Sequence, residues 1–331
     1  MARDSEWRKK EPSLKEVQEK YPTLPPYWLL KVDMQRRSIV YTEAALDKVD
    51  ITRHEVNGLS LLDKLKDGSA SKPTPSGLVF QDGSTTIMDA PGTNFRDPYV
   101  IDVVNDEIVI TDDGEVLGKV QDYWEKPDFI DKKASNGEPF RKYLSHRPQR
   151  IDITLNAYCH FWDKAGEGCK YCPLTPNYKL SGKTEERNNI KYIREGVEEA
   201  LRQKGRFQYI LLSGGSVLSG DKLFDDEVNG YIEILQAIDP LFSTKKYPSQ
   251  IVCSAFDEEQ MERLYNSTGL LNYTTDIEVL NKDKFGWVCE GKNAYVGFDE
   301  WKRRLIKSVD IFGKGNVSSV VVLGSEQATP N

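Results

Sequence analysis

Between residues 38 and 125, short apolar runs alternate with polar turn formers, a pattern typical of β-strands. The runs that predict strands are 77–80, 85–88, 99–104 and 107–120. Asp112, Asp113 and Gly114 divide the last run, and they supply the positive φ that a tight turn requires, so we predict a β-hairpin there. The region as a whole therefore predicts a β-rich accessory domain over 38–125.

Prolines and turn formers mark both flanks of this region. In YPTLPPYW, Pro22, Pro25 and Pro26 are incompatible with a regular helix, so we predict that residues 1–37 form an N-terminal arm. Residues 126–150 are polar and rich in turn formers, which predicts a linker.

From residue 151 onward, short apolar strands alternate with segments of helical period, a pattern typical of parallel βα units. The predicted strands are 151–155, 209–212, 251–254, 275–280 and 317–323. We therefore predict an α/β fold in which residues 151–331 form a partial parallel (β/α) barrel. The carboxyl ends of barrel strands carry the functional loops.

Composition narrows the class of protein. A chain of 331 residues suffices for one large domain or two ordinary ones. Its 52 acidic and 45 basic side chains are mixed along the sequence, which argues against a nucleic-acid surface. No apolar run approaches the roughly 20 residues that span a bilayer, and the charged start has no apolar segment behind it. We expect a soluble, cytoplasmic protein that does not bind membranes.

Three of the five cysteines lie within fourteen residues, in the loop after the first strand of the βα series. Cys159, Cys169 and Cys172 have the spacing C-x9-C-x2-C. This cluster suits a metal or redox site in a reducing compartment better than a set of disulfides. Thiolates are ligands for zinc and for iron–sulfur clusters. Three of them leave one iron of a [4Fe–4S] cluster without a protein ligand, and that iron is open to a substrate.

Two other uses of these thiolates remain open. A zinc ion could take Cys159, His160, Cys169 and Cys172, which would make the chain a zinc-stabilised binding module without catalysis, although adjacent residues such as Cys159 and His160 point apart. An iron–sulfur electron carrier is a third reading. Carriers usually complete the cluster with a fourth protein ligand.

The cysteine loop resembles that of the radical S-adenosylmethionine (SAM) superfamily. The resemblance rests on a cysteine triad that ends in C-x-aromatic-C, with Tyr171 as the aromatic residue, after the first strand of a βα series. The first gap of nine residues departs from the commonest spacing, C-x3-C-x2-C. The resemblance implies that Cys159, Cys169 and Cys172 hold a [4Fe–4S] cluster. It also implies reductive cleavage of SAM to methionine and a 5′-deoxyadenosyl radical, which abstracts hydrogen from a small-molecule or peptide substrate.

The same resemblance implies roles for later strand ends. Gly214 and Gly215 would bring the backbone close to the amino group of SAM, and Ser216 stands where a glutamate is frequent. Glu278 would accept hydrogen bonds from the ribose hydroxyls. The adenine would lie against Val322, Leu323 and Gly324. An electron donor of the flavodoxin or ferredoxin type is the implied partner.

The remaining features give less specific expectations. Cys289 lies in the long loop after the fourth predicted strand, and it is either a radical relay or hydrogen donor, or simply a packed cysteine. The superfamily barrel usually has six βα units, whereas five strands are predicted here. The sequence thus predicts either a truncated reading frame or another element that completes the sheet.

Overall fold

A computed structural model describes residues 11–57, 72–87, 97–164, 166–181, 185 and 187–327. The chain divides into two compact units, Met1–Lys126 and Pro127–Asn331. Each unit has its own buried hydrophobic core. Of the predicted elements, residues 1–10 of the arm and residue 88 of the second strand run lie outside the described residues.

The first unit contains a six-stranded sheet with the strand order β1-β4-β5-β6-β2-β3. Among the described strands of this sheet, β1 pairs in parallel with β4, and the other neighbouring strands pair antiparallel. Asp113 and Gly114 have φ values of 50° and 83°, and they join β5 to β6, so the predicted hairpin is confirmed. The strands are β1 Ile39–Tyr41, β2 Gly77–Phe80, β3 Thr85–Ile87, β4 Tyr99–Val104, β5 Glu107–Asp112 and β6 Glu115–Tyr123.

Helices precede and follow β1 in this unit: α1 Leu14–Lys20, α2 Pro26–Arg37 and α3 Glu43–Leu46. The expectation that the prolines exclude a helix is wrong for α2. Pro26 occupies its first turn, where the missing N–H would have no partner in any case. Leu30 and Met34 on α2 are buried in the core formed with the sheet.

Arg37, the last residue of α2, forms a buried ion-pair network. Its guanidinium donates to the backbone oxygen of Asp97 at 2.9 Å and to both carboxylate oxygens of Asp112 at 2.9 Å. It also pairs with the Asp97 carboxylate at 3.2 Å and lies 4.0 Å from the centre of the Tyr99 ring. The planar, five-donor guanidinium is well matched to several acceptors at once.

The second unit contains a curled, open half-barrel sheet with the order β12-β11-β10-β9-β8-β7. Strands β8 to β12 are parallel, and β7 pairs antiparallel with β8. The mixed α/β class predicted from the sequence is confirmed. The strands are β7 Leu144–Arg147, β8 Arg150–Thr154, β9 Tyr209–Ser213, β10 Ser249–Val252, β11 Asn272–Thr274 and β12 Val317–Ser318.

Helices connect these parallel strands. Asn189 caps the helix after the cysteine loop, and Asp257 forms a capping box with Gln260, so both helices start where their first N–H groups find side-chain acceptors. The helices are α4 Leu174–Leu180, α5 Ile190–Leu201, α6 Asp225–Ile238, α7 Glu258–Ser267, α8 Lys282–Val288, α9 Glu290–Tyr295 and α10 Phe298–Phe312. None of the helices in the described ranges is long and apolar enough to cross a membrane.

Two stretches of this unit differ from the sequence-based expectation. The fourth strand is β11, Asn272–Thr274, and not 275–280, because Glu278 has a φ of 64° that interrupts extended backbone. Only a single parallel bridge, Glu278 to Val321, continues the pairing there. The stretch 126–150, expected as a linker, contributes β7 and buries Phe129 and Phe140 in the core.

The buried network around Arg37 gives a test of stability. Replacement Arg37→Met should lower the free energy of unfolding by about 3–5 kcal/mol, because it leaves the fully buried Asp97 carboxylate without its cation. Urea unfolding of the full chain measures this loss. The matched control is Arg36→Met, whose side chain is 40% exposed, and it should cost less than about 1 kcal/mol. If the two variants lose equal free energy of unfolding, the buried network around Arg37 does not stabilise the fold more than an exposed ion pair does.

Candidate functional site

The loops that follow β8, β9, β10 and β11 line one cavity at the carboxyl edge of the second sheet. Parallel strands bring these ends together, as the sequence predicted for the functional loops. The cavity brings together eight of the residues selected from the sequence: Cys159, Cys169, Tyr171, Cys172, Gly214, Gly215, Ser216 and Glu278. It is also lined by residues that the sequence did not single out for this site, among them Cys253, Ser254, Asp276, Lys292 and Trp301.

Local hydrogen bonds shape the cysteine loop. The Cys159 N–H donates to the hydroxyl of the fully buried Thr175 at 3.0 Å, and the Cys172 N–H donates to the Cys169 carbonyl at 3.0 Å in a tight turn. The loop is also held from outside, since the Lys170 N–H donates to the Val288 carbonyl at 3.0 Å. These contacts hold the loop whose three cysteines line the cavity.

Gly215 allows the loop after β9 to lie against the cysteine loop. A Cβ atom at Gly215 would lie 2.1 Å from the Tyr158 carbonyl oxygen and 2.5 Å from Cys159 Cα. The two loops are joined by the Gly215 N–H to Asn156 O bond and the His160 N–H to Ser216 O bond, both at 2.9 Å. Only glycine permits this approach.

A fourth thiol lies beside the triad. Cys289 is fully buried, and a hydrogen bond from it lowers the pKa of Cys169 to about 7, against the opposing effect of burial. That same hydrogen bond, together with burial, raises the pKa of Cys289 itself. Burial raises the pKa of Cys159 to about 11. The Tyr171 hydroxyl lies 4.0 Å from the Cys289 sulfur. Of the two thiols in this contact, Cys169 is the one that more readily becomes a thiolate.

Lys292 brings a positive charge to the cavity wall. Its ammonium donates to the Asp276 carbonyl at 2.6 Å and to Glu278 Oε1 at 3.1 Å. Burial alone would lower the pKa of Lys292, but the charges of Glu278, Cys169 and Cys289 raise it above its ordinary value. The strained φ of Glu278 is typical of a residue held in place for a function. The pair offers a carboxylate in a defined position beside the thiols.

A second buried carboxylate lies behind the cavity. Glu227, near the start of α6, accepts hydrogen bonds from the Val217 N–H at 3.0 Å, the Ser254 N–H at 2.9 Å and the Ser254 hydroxyl at 2.8 Å. The Ser254 and Ser216 hydroxyl oxygens are 2.9 Å apart. Burial raises the pKa of Glu227 to about 7.

The predicted adenine-binding residues do not line this cavity. Val322 donates its N–H to the Glu278 carbonyl at 2.8 Å, but Leu323 is 93% exposed and Gly324 has open space around its Cα. Their role stays a prediction.

Sequence reasoning did not select Glu227, Ser254, Asp276 or Trp301 for the site. Glu227 sits in the acidic first turn of α6, where acidic residues commonly stabilise a helix start, so its type carries no functional signal. Trp301 fits the apolar face of α10. The signal that could have found Asp276 is its place between β11 and Glu278, at a strand end.

The donor set fits an iron–sulfur cluster better than a single metal ion. Within the described parts of the chain, no three His, Cys, Asp or Glu side chains converge closely enough to hold one ion, so the set considered for zinc is not assembled. A [4Fe–4S] cluster takes one thiolate on each of several irons, and its ligands therefore surround a shared space. Cys159, Cys169 and Cys172 surround one cavity in this way.

The chain is similar to a known enzyme. It is 23% identical over 281 residues to the bacteriochlorophyllide c C-7(1)-hydroxylase of Chlorobaculum limnaeum, in a match that covers 78% of this chain and 67% of the hydroxylase. No family model matches the chain. The similarity is thus to an enzyme, in a match that covers most of this chain.

The close approach at Gly215 predicts a local effect of adding one methyl group. Gly215→Ala should lower the free energy of unfolding by about 1–3 kcal/mol and speed alkylation of Cys159 by iodoacetamide, because the loops must separate. Urea unfolding and mass spectrometry of the labelled thiols measure the two effects. The control is Gly286→Ala in α8, where the nearest atom to the new methyl group is 3.5 Å away and stability should rise slightly. If Cys159 is alkylated no faster in Gly215→Ala than in the wild type, the contact at Gly215 does not control the position of the cysteine loop.

The raised pKa of Glu227 predicts how stability depends on pH. The folded chain keeps a proton on this carboxyl up to a pH of about 7, whereas the unfolded chain releases it near 4.5. The stabilisation is therefore present at low pH and is lost as the pH rises through 7. Relative to Glu227→Gln, the wild-type chain should lose about 3 kcal/mol of unfolding free energy between about pH 5 and pH 8. Urea unfolding at each pH measures the unfolding free energy of the wild type and of Glu227→Gln. If the two free energies change in parallel with pH, the pKa of Glu227 is not raised.

Proposed function

We propose that this protein is a radical SAM enzyme. Cys159, Cys169 and Cys172 would hold a [4Fe–4S] cluster, and the chain would bind SAM in the same cavity. When bound, the cluster supplies the electron that cleaves SAM to a 5′-deoxyadenosyl radical, which takes a hydrogen atom from the substrate.

One observation carries the proposal. The three thiols of the C-x9-C-x2-C motif lie around a single cavity with Gly214, Gly215 and Glu278. These residues come from three different strand ends, and the resemblance selected all of them for binding the cluster and SAM. A purely structural cysteine loop has no reason to share a cavity with the glycines and the carboxylate.

The side chains around the cavity have separable tasks. Cys169, with its lowered pKa, is suited to ligate iron as a thiolate. Lys292 offsets the negative charge that accumulates when thiolates gather beside Glu278, and its contact with Glu278 orients that carboxylate. Gly214 and Gly215 leave room for a ligand to approach the backbone.

The similarity to a hydroxylase supports a reaction at a C–H bond. Hydroxylation replaces a C–H bond by a C–OH bond, and removal of a hydrogen atom is one way to open that bond. The substrate class of this protein is a small molecule or a peptide, and the electron donor is a flavodoxin or ferredoxin type protein in the cytoplasm.

Anaerobic reconstitution tests the proposal. Protein loaded with iron and sulfide, then reduced with dithionite in the presence of SAM, should release 5′-deoxyadenosine, which chromatography detects. Cys169→Ala should abolish the release because the cluster loses a ligand. The control is Gly286→Ala in α8, which adds a methyl group at a residue that does not line the cavity and has no atom closer than 3.5 Å to that methyl group. It should retain most of the release.

Two results would refute the proposal. Tight binding of zinc, with no brown chromophore and no released nucleoside, would favour the zinc-stabilised binding module. Equal loss of the nucleoside in Cys169→Ala and Gly286→Ala would show that the motif has no special part in the reaction.

A further inference from the structure

Glu227 is a buried carboxyl group to which the proposed function assigns no role. Its side chain is 1% exposed, and the donors that surround it are the neutral Val217 N–H, Ser254 N–H and Ser254 hydroxyl. The titratable groups whose charges interact with it are Tyr231, Cys253, Tyr273 and Lys292.

No cation in the described chain forms an ion pair with Glu227. Lys292 is the cation whose charge it senses, but that ammonium is bonded to Glu278 and to the Asp276 carbonyl. An ionised carboxylate that is buried without a cationic partner is costly, so such a group either keeps its proton, as Glu227 does up to a pH of about 7, or gains a cationic ligand. The missing positive charge is therefore a reason to look for a cationic ligand near Glu227.

Two hydroxyl groups connect Glu227 with the cavity. Ser254 Oγ is 2.8 Å from Glu227 and 2.9 Å from Ser216 Oγ, and both serines line the cavity. A hydroxyl carries one hydrogen, so when Ser254 donates to the ionised carboxylate it cannot also donate to Ser216. Ser216 then donates its own hydrogen to Ser254 or to the neighbouring Cys159 sulfur. The oxygen of Ser216 is left as a hydrogen-bond acceptor for a ligand.

We infer that Glu227, acting through Ser254 and Ser216, forms a recognition site for an ammonium group in the cavity. The inference rests on the proposed function, under which this ammonium is the amino group of SAM. By the resemblance to the radical SAM motif, Ser216 stands where a glutamate is frequent, and Glu227 supplies a carboxyl group from α6 behind it. Glu227 is thus a positioning residue that orients two hydroxyls, and a cation bound in the cavity would favour its ionised form.

The test compares two ligands that differ at the amino acid end. SAM carries the ammonium group, whereas 5′-methylthioadenosine has the same nucleoside without it. Glu227→Gln should weaken SAM binding about tenfold, because the amide is neutral and can donate to Ser254, which reverses the hydroxyl chain. Binding of 5′-methylthioadenosine should change less than about twofold. Anaerobic equilibrium dialysis of the reconstituted full chain measures both.

Controls separate this role from a structural one. Glu233→Gln, on the exposed side of the same helix, should leave both affinities unchanged. Ser216→Ala should weaken SAM to a similar degree, and adding Glu227→Gln to it should cause little further loss, because both changes break one chain of contacts. A thermal unfolding scan checks that Glu227→Gln is folded.

The outcomes are distinct. If Glu227→Gln binds SAM as tightly as the wild type, while the wild type releases 5′-deoxyadenosine, the inference is wrong and the proposed function stands. The inference is also wrong if Glu227→Gln weakens both ligands equally, since that indicates a distorted cavity. A wild-type protein that binds neither ligand and releases no nucleoside would overturn both proposals.

Discussion

The candidate site depends on the close approach of two loops at Gly215. The chain leaves β9 with its backbone almost against Tyr158 and Cys159, and the pair of 2.9 Å hydrogen bonds across the contact leaves no room for a side chain. This approach places Ser216 and the cysteine loop on the same cavity. Every other feature of the site, from the thiols to the carboxylates, is arranged around that junction.

Charge is the second constraint on the cavity. Three motif thiols, the Cys253 thiol and two acidic side chains line one cavity, and Lys292 is the lining cation that bonds to Glu278. An ammonium group buried among so many acids keeps its charge, because their combined potential exceeds the cost of burial. Lys292 therefore offsets part of the negative charge that this cavity wall carries.

Parts of the site are held in unfavourable conformations or charge states. Glu278 has a left-handed backbone, which costs a non-glycine residue free energy, and Glu227 is buried without a cation. Groups of this kind persist where the surrounding structure compensates for them. Capped helices and the buried cores of both units provide that compensation, since they are built from ordinary, favourable contacts.

Local patterns were sufficient to predict much of the fold. Alternating apolar residues and the Asp113-Gly114 turn predicted the β5–β6 hairpin. The segments of helical period between the predicted strands contain α5, α6, α7 and α10. Such elements depend on neighbouring residues, which a sequence displays directly. The sequence did not predict the helix that begins at Pro26, because packing against a sheet stabilises it. It also placed the fourth strand too late, because the strained backbone of Glu278 interrupts the predicted run.

The sequence by itself determined the chemistry of the site, since C-x9-C-x2-C, Gly214-Gly215 and Glu278 are visible as residue types at strand ends. Tertiary structure alone decided which other side chains join them. Glu227 and Lys292 lie far along the chain from the cysteine loop, and each resembles an ordinary helix or loop residue in the sequence. Their roles arise from burial and from distances between separate elements, quantities that no local pattern of residues contains.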